Sequence, residues 1–244
     1  MKDLFSRDSK QYAKFRPTYP EALYDFIFQY IHHKGVAWDV GTGNGQVAQV
    51  LANYFTKVYA TDLSQKQLDE AVSLPAIQYL CCNEHDTPFQ ADTFDLITVG
   101  QAIHWFDFAK FYKEINRVAK KGALVAIWGY SLLQISDEID SHIAQFYRHK
   151  VGKYWDAERK YVDEAYQTIP FPFQPIEVPS FQMEFSWNLY MLEGYLKTWS
   201  SVGRFIKEEK YNPVDEFIDY LKPFWEEDEV KRIVFPIFMR LGYV

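Results

Sequence analysis

The residues best suited to chemistry in this chain are the run Asp39-Val-Gly-Thr-Gly-Asn-Gly45 and, 19 residues beyond Gly43, Asp62. Gly41, Gly43 and Gly45 follow a short apolar run and open a helix-like one. Glycines there let the backbone approach a bound molecule closely, and the helix start offers backbone N–H groups. Asp62 ends the next apolar run, where an acid can accept both hydroxyls of a ribose. The pattern predicts a ribose-containing cofactor. The dinucleotide fingerprint G-x-G-x-x-G is not met, because the third glycine comes one residue early and Gln46 stands in its place. Asp39 would repel a pyrophosphate but attract the ammonium of an amino acid. S-adenosylmethionine has that ammonium and no phosphate. The P-loop is excluded, since no Gly-Lys-Ser/Thr follows.

The run resembles motif I of the class I S-adenosylmethionine-dependent methyltransferases, and Asp62 matches their ribose-binding acid. Thr87-Pro-Phe-Gln-Ala-Asp-Thr-Phe-Asp-Leu-Ile97 resembles the segment that enters their fourth strand. Gln101-Ala-Ile-His-Trp-Phe-Asp107 and Tyr12-Ala-Lys-Phe-Arg-Pro-Thr-Tyr-Pro20 resemble a small-molecule subgroup that includes trans-aconitate methyltransferase-like proteins. The similarity covers roughly residues 8–130 and thins beyond Tyr130. It implies that Gly41, Gly43 and Gly45 form the loop on the methionyl moiety, with Asp39 beneath its amino group. It further implies that Asp62 binds the ribose and that Leu63 packs on the adenine. Asn83 stands where relatives often carry Asp toward the adenine amino group, with Glu84 as the alternative. Gln101 is expected near the sulfonium, and Tyr12 and Arg16 on an N-terminal flap over the cofactor.

The implied reaction is in-line methyl displacement onto a small organic acceptor, with S-adenosylhomocysteine as product. The acceptor is a carboxylate, or else another oxygen, nitrogen or carbon nucleophile. The leaving group is neutral and already activated, so alignment can supply most of the acceleration. A base is needed only where the acceptor must lose a proton. His104 is the candidate base or substrate donor, with a structural histidine as the competing reading. Trp105 is placed to wall the transfer site, where an aromatic face favours a positive sulfur. Arg16 could meet a carboxylate bidentately or form a surface ion pair. Two alternatives stay open: a nicotinamide (NAD(P))-dependent oxidoreductase, and a non-catalytic adenosylmethionine-binding protein.

The elements that must position these residues alternate. Pro20 opens a helix whose Leu23, Phe26, Ile27 and Tyr30 share a face. Strands are predicted at Val36–Val40, Lys57–Asp62, Ile77–Cys82, Phe94–Val99 and Gly122–Trp128. Helices are predicted at Gln46–Tyr54, from Ser64 toward Pro75, and at Asp107–Ala119. This predicts a doubly wound, mostly parallel sheet with ligands beyond the carboxyl ends of its strands, and the resemblance implies seven strands in a Rossmann-like arrangement. The expected layout within one domain, 1–244, is a flap over 1–33 and a cofactor-binding half over 34–130. An aromatic helical lid over 131–175 follows, then acceptor-selecting elements over 176–244. The lid reading rests on aromatic density around Tyr147, Tyr154 and Trp155, to which Trp187 and Trp199 add. The last segment is expected to hold a strand at Gln182–Trp187, helices at Tyr190–Trp199 and Pro213–Leu221, and an apolar run at Ile233–Phe238.

Composition narrows the partners. The 244 residues are 48% hydrophobic, 24% charged and 18% aromatic, with a net charge of -7. The densest basic stretch, Arg148 to Lys153, holds three charges, too few for a phosphate-binding face, so no nucleic-acid partner is expected. Cys81 and Cys82 are adjacent, a spacing that forms neither a disulfide framework nor a zinc site, and both are expected as buried thiols. No metal constellation stands out. An N-terminus without an apolar core and the lack of any 18-residue apolar stretch predict a cytoplasmic protein with no membrane partner.

Overall fold

The computed structural model describes residues 15, 17–226 and 228–244. Of the segment expected to act as a flap, residues 1–14 and Arg16, Tyr12 among them, therefore lie outside the described residues. The described chain runs α1 (Glu21–Phe28), β1 (Val36–Val40), α2 (Gln46–Leu51), β2 (Lys57–Asp62), α3 (Gln65–Asp69), β3 (Ile77–Cys81) and β4 (Phe94–Gly100). A 3₁₀ turn at Ile103–Trp105 leads to α4 (Phe108–Val118) and β5 (Ala119–Tyr130). After α5 (Asp137–Gln145) come a π turn (Phe146–Lys150), a 3₁₀ turn (Gly152–Tyr154) and α6 (Arg159–Asp163). The chain closes with β6 (Gln174–Ile176), β7 (Phe181–Trp187), α7 (Leu189–Lys197), α8 (Ser200–Glu209), α9 (Pro213–Leu221) and β8 (Lys231–Tyr243).

The strands form a doubly wound sheet in the order β3-β2-β1-β4-β5-β8-β6, with β7 also on β8. β1 to β5 are parallel, and β8 returns antiparallel to β5. The expected sheet had seven strands; eight are found among the described residues. The extra strand arises because β6 and β7 divide β8, β6 pairing Leu241–Tyr243 and β7 pairing Lys231–Ile237. The final apolar run is correspondingly longer than expected, since β8 is flanked on both edges.

Strand alternation sorts the interior into two cores. Ala37, Leu96, Leu124, Ala126 and Trp128 face one, whereas Trp38, Ile97, Val125 and Ile127 face the other. The first is covered by α1, α2, α5 and α7–α9 through residues such as Leu23, Leu51, Ile143, Leu192, Val202 and Phe217. The second is covered by α4, whose Phe111, Ile115 and Val118 are fully buried, each contributing roughly 1.5–3 kcal/mol. Helix starts are set locally: Ser64, Asp107, Ser136, Asn188 and Asn212 each accept a backbone N–H as N-cap. The two cysteines do not sit in a core. Cys81 is exposed and Cys82 half-buried, because β3 is the sheet's edge strand. Among the described residues, no helix is long and apolar enough to cross a membrane.

Candidate active site

The carboxyl ends of β1, β2, β4 and β5 open onto one cleft of about 1410 Å³, its mouth included. Asp39 forms its floor. The side chain is 1% exposed and accepts hydrogen bonds from Thr42 Oγ1 (2.5 Å) and Thr98 Oγ1 (2.9 Å). Burial pushes its carboxyl up to about 7, and the charge of Asp62 adds to that. No cation pairs with Asp39 among the described residues. Asp62, at the end of β2, is fixed by backbone N–H donors: Gly43 to Oδ2 (2.9 Å) and Ser64 to Oδ1 (2.8 Å). The carboxylate lines the cleft as an acceptor.

The glycine loop has its own constraint. Gly41 is left-handed at φ +67°, and a Cβ there would sit 2.6 Å from the Ala102 methyl. Only glycine lets the loop after β1 lie against the loop after β4. Gly43 also lines the cleft; Gly45 instead caps α2 from behind, under the Tyr79 hydroxyl. Gln101 holds φ +56°, a conformation that side chains adopt at a cost. It is clamped there: its N–H donates to the Trp128 carbonyl (2.7 Å), and its Oε1 accepts the Tyr130 N–H (2.8 Å).

The opposite wall comes from segments distant in sequence. Trp155, Asp156 and Arg159 reach it from the region between β5 and β6, and Tyr195, Trp199 and Ser200 from α7 and α8. Arg159 is anchored at one end, its Nε donating to Tyr147 Oη (2.7 Å), and it lies 4.6 Å over the Trp155 ring. Asp156 is paired with Arg204 (2.5 Å). His104 is 6% exposed, and its Nδ1 lies 2.9 Å from Tyr166 Oη. Burial first, and then the Arg159 cation, push His104 down to about 3, so the imidazole is neutral.

Of the expected site residues, Asp39, Gly41, Gly43, Asp62, Leu63, Gln101, His104 and Trp105 all line the cleft. Asn83 and Glu84 do not: Asn83 is exposed, and Glu84 is buried with Oε1 3.0 Å from His85 Nδ1. Among the aromatic residues expected over the site, Trp155 and Trp199 line it and Tyr147 packs behind both. Trp187 instead joins the core beside Tyr195 and Phe235. Arg159, Asp156 and Tyr166 carried no signal in the sequence, because each acquires its place only through partners far along the chain.

A family model described as a methyltransferase domain matches residues 38–127. A Dictyostelium discoideum protein named as a methyltransferase is 32% identical over 98% of this chain and 94% of its own length. A solved structure described as a type II methyltransferase, from Anaeromyxobacter dehalogenans, is 33% identical, with a TM-score of 0.85 over 94% of this chain and 98% of that one. The chain belongs to the class I S-adenosylmethionine-dependent methyltransferases. A Bacillus halodurans C-125 methyltransferase at 21% identity, covering 90% of this chain and 97% of its own, has a TM-score of 0.51 and shares the fold alone. Both alternatives, nicotinamide chemistry and binding without catalysis, are set aside by these matches.

The methyltransferase uses S-adenosylmethionine as cofactor, and its cleft fits that molecule. A buried carboxyl with no cation paired to it among the described residues calls for an ammonium, and an acid fixed at the end of β2 suits a ribose. Gly41 and Gly43, without side chains, leave room for the chain between them.

Proposed function

We propose that the methyltransferase methylates a small organic acceptor that carries an anionic group, a carboxylate in the first instance. Arg159 carries this reading. Its Nε donates to Tyr147 Oη and, at 3.4 Å, to Asp163 Oδ1, and its face is stacked on Trp155, while the terminal nitrogens of the fork have no protein partner among the described residues. A guanidinium pre-ordered in this way, on a cleft wall with Trp155 and Trp199, suits a carboxylate on a flat or apolar body.

When bound, the cofactor supplies a methyl group on a positive sulfur. The chain's residues do the rest. Asp39 holds the ammonium, Gly41 and Gly43 admit the methionyl backbone, Asp62 accepts the ribose hydroxyls and Leu63 packs on the adenine. Gln101 and Trp105 border the place where acceptor and methyl carbon align. Gly45 supports the loop from behind, and we assign no contact to Asn83 or Glu84. The segment 131–175 acts as a lid whose Trp155 and Arg159 face the acceptor, and the elements over 176–244 add Tyr195 and Trp199.

The test is a panel of organic acids, their methyl esters and amides, phenols and amines, offered with S-adenosylmethionine to wild type and Arg159→Leu. Carboxylates should be turned over in preference to their neutral counterparts. The variant should raise KM for acids by roughly tenfold or more, the loss of one charge-assisted pair, with cofactor affinity unchanged. Equal use of neutral acceptors with no effect of Arg159→Leu, or methylation of macromolecules only, would sink the proposal.

A further inference from the structure

The neutral His104 carries one proton, and the structure decides which nitrogen holds it. Tyr166 is 0% exposed, and the only hydrogen-bond partner of its Oη among the described residues is His104 Nδ1, at 2.9 Å. If His104 donated from Nδ1, the Tyr166 hydroxyl proton would be buried with no acceptor. Native interiors avoid that arrangement. With the phenol donating to Nδ1, both groups are satisfied and the imidazole proton falls on Nε2. That nitrogen has no protein partner among the described residues, and His104 lines the cleft.

The backbone is also bent to this purpose. Ala165 and Tyr166 are consecutive left-handed residues without glycine, at φ +50° and +59°. Such strain persists only where the surroundings impose it. Here Arg240, on β8, donates Nη1 to the carbonyls of both Tyr166 and Ile169, fixing the loop that turns the phenol inward. Tyr166 further packs edge-on against Phe238, with ring centroids 4.8 Å apart.

We propose that Tyr166 is a positioning residue that donates its phenolic proton to His104 Nδ1. It thereby fixes the Nε2–H tautomer, so that His104 offers the methyl acceptor a hydrogen-bond donor and not a base. The inference rests on the reading that the acceptor occupies the Arg159 side of the cleft. The acceptor must then arrive with its nucleophilic lone pair already free, as a carboxylate does, since no proton is removed at His104.

The first measurement needs no substrate. Long-range ¹H–¹⁵N correlation spectra of the full-length protein at pH 7.5, with His104 assigned by its absence in His104→Gln, read the tautomer directly. The expected result is a protonated Nε2 and an unprotonated Nδ1. In Tyr166→Phe, with its fold checked by circular dichroism, Nδ1 protonation should become populated. A proton on Nδ1 in the wild type, or a tautomer unchanged in a folded Tyr166→Phe, would overturn the inference. The second measurement follows methyl transfer to the fastest carboxylate of the panel. His104→Gln, which keeps an N–H near the Nε2 position, should retain at least about a third of kcat/KM. His104→Leu should lose about tenfold or more, one hydrogen bond's worth. Equal losses in the two variants would count against the donor role. If no carboxylate reacts, the proposed function has failed while the spectra still decide the tautomer.

Discussion

At the scale of single residues, Asp39 does two things that pull in opposite directions. Its carboxyl titrates near pH 7 in the folded chain, against 3.8 for an ordinary aspartate, because it is buried with no cation paired to it among the described residues. The folded state therefore binds this proton more tightly than the unfolded state does. Stability from the protonated form is complete below about pH 4 and is lost as the pH rises through 7, on the order of 4 kcal/mol in all. Asp39→Asn should remove this dependence and raise the urea midpoint at pH 8, while weakening S-adenosylmethionine binding by about a hundredfold or more, as truncation of a buried charge pair does. With Asp39 on the ammonium, as proposed, binding to the wild type needs the ionised carboxylate. Affinity should fall about tenfold per pH unit below 7, and binding near pH 6.5 should release a proton, visible by calorimetry in buffers of different ionisation enthalpy. A pH-independent affinity would remove Asp39 from the ammonium.

At the scale of elements, the loops after β1 and β4 are pressed together, and the contact of Gly41 with Ala102 sets their spacing. Gly41→Ala combines a left-handed alanine with a methyl–methyl overlap and should cost roughly 1–3 kcal/mol. Ala102→Gly on its own should cost less. The double variant should recover most of the steric part, so a double-mutant cycle on urea midpoints should show clear non-additivity. Additive losses would mean that the two loops are not coupled there. This contact also explains what the sequence could disclose. The glycine run, the alternation from Val36 to Trp128 and the acid Asp62 are local patterns, so the parallel half of the sheet and the cleft edge that those residues line were legible. Arg159 was not. Its anchor Tyr147 sits on a π turn closed by the Val151 N–H to the Phe146 carbonyl, and its neighbour Trp199 lies forty residues on. Such meetings leave no spacing to read. The exposed position of Asn83 and Cys81 follows likewise from β3 being an edge strand, which only the strand order reveals.

At the scale of the whole molecule, the cleft gathers Asp39, Asp62, Gln101, Trp155 and Trp199 from five separate stretches of chain. No unfolded ensemble can assemble that set, so the cofactor binds the folded state alone. Binding should then raise global stability by about 2.7 kcal/mol at a hundred times Kd. For a chain of this size that corresponds to a rise in Tm of roughly 5–10 °C. The two halves of the cleft can be separated by the same measurement. Asp62→Ala removes the proposed ribose acceptor and its clamp on the Gly43 N–H, and should abolish most of the shift with S-adenosylmethionine and with S-adenosylhomocysteine. Arg159→Leu, on the acceptor wall, should keep the full shift and lose only the further increment that a carboxylate acceptor adds over S-adenosylhomocysteine. A wild type whose Tm ignores both cofactor forms, or an Asp62→Ala variant that shifts as the wild type does, would move the cofactor away from the β1–β2 edge. A loss of the cofactor shift in Arg159→Leu would instead mean that the two walls close on the cofactor as one unit.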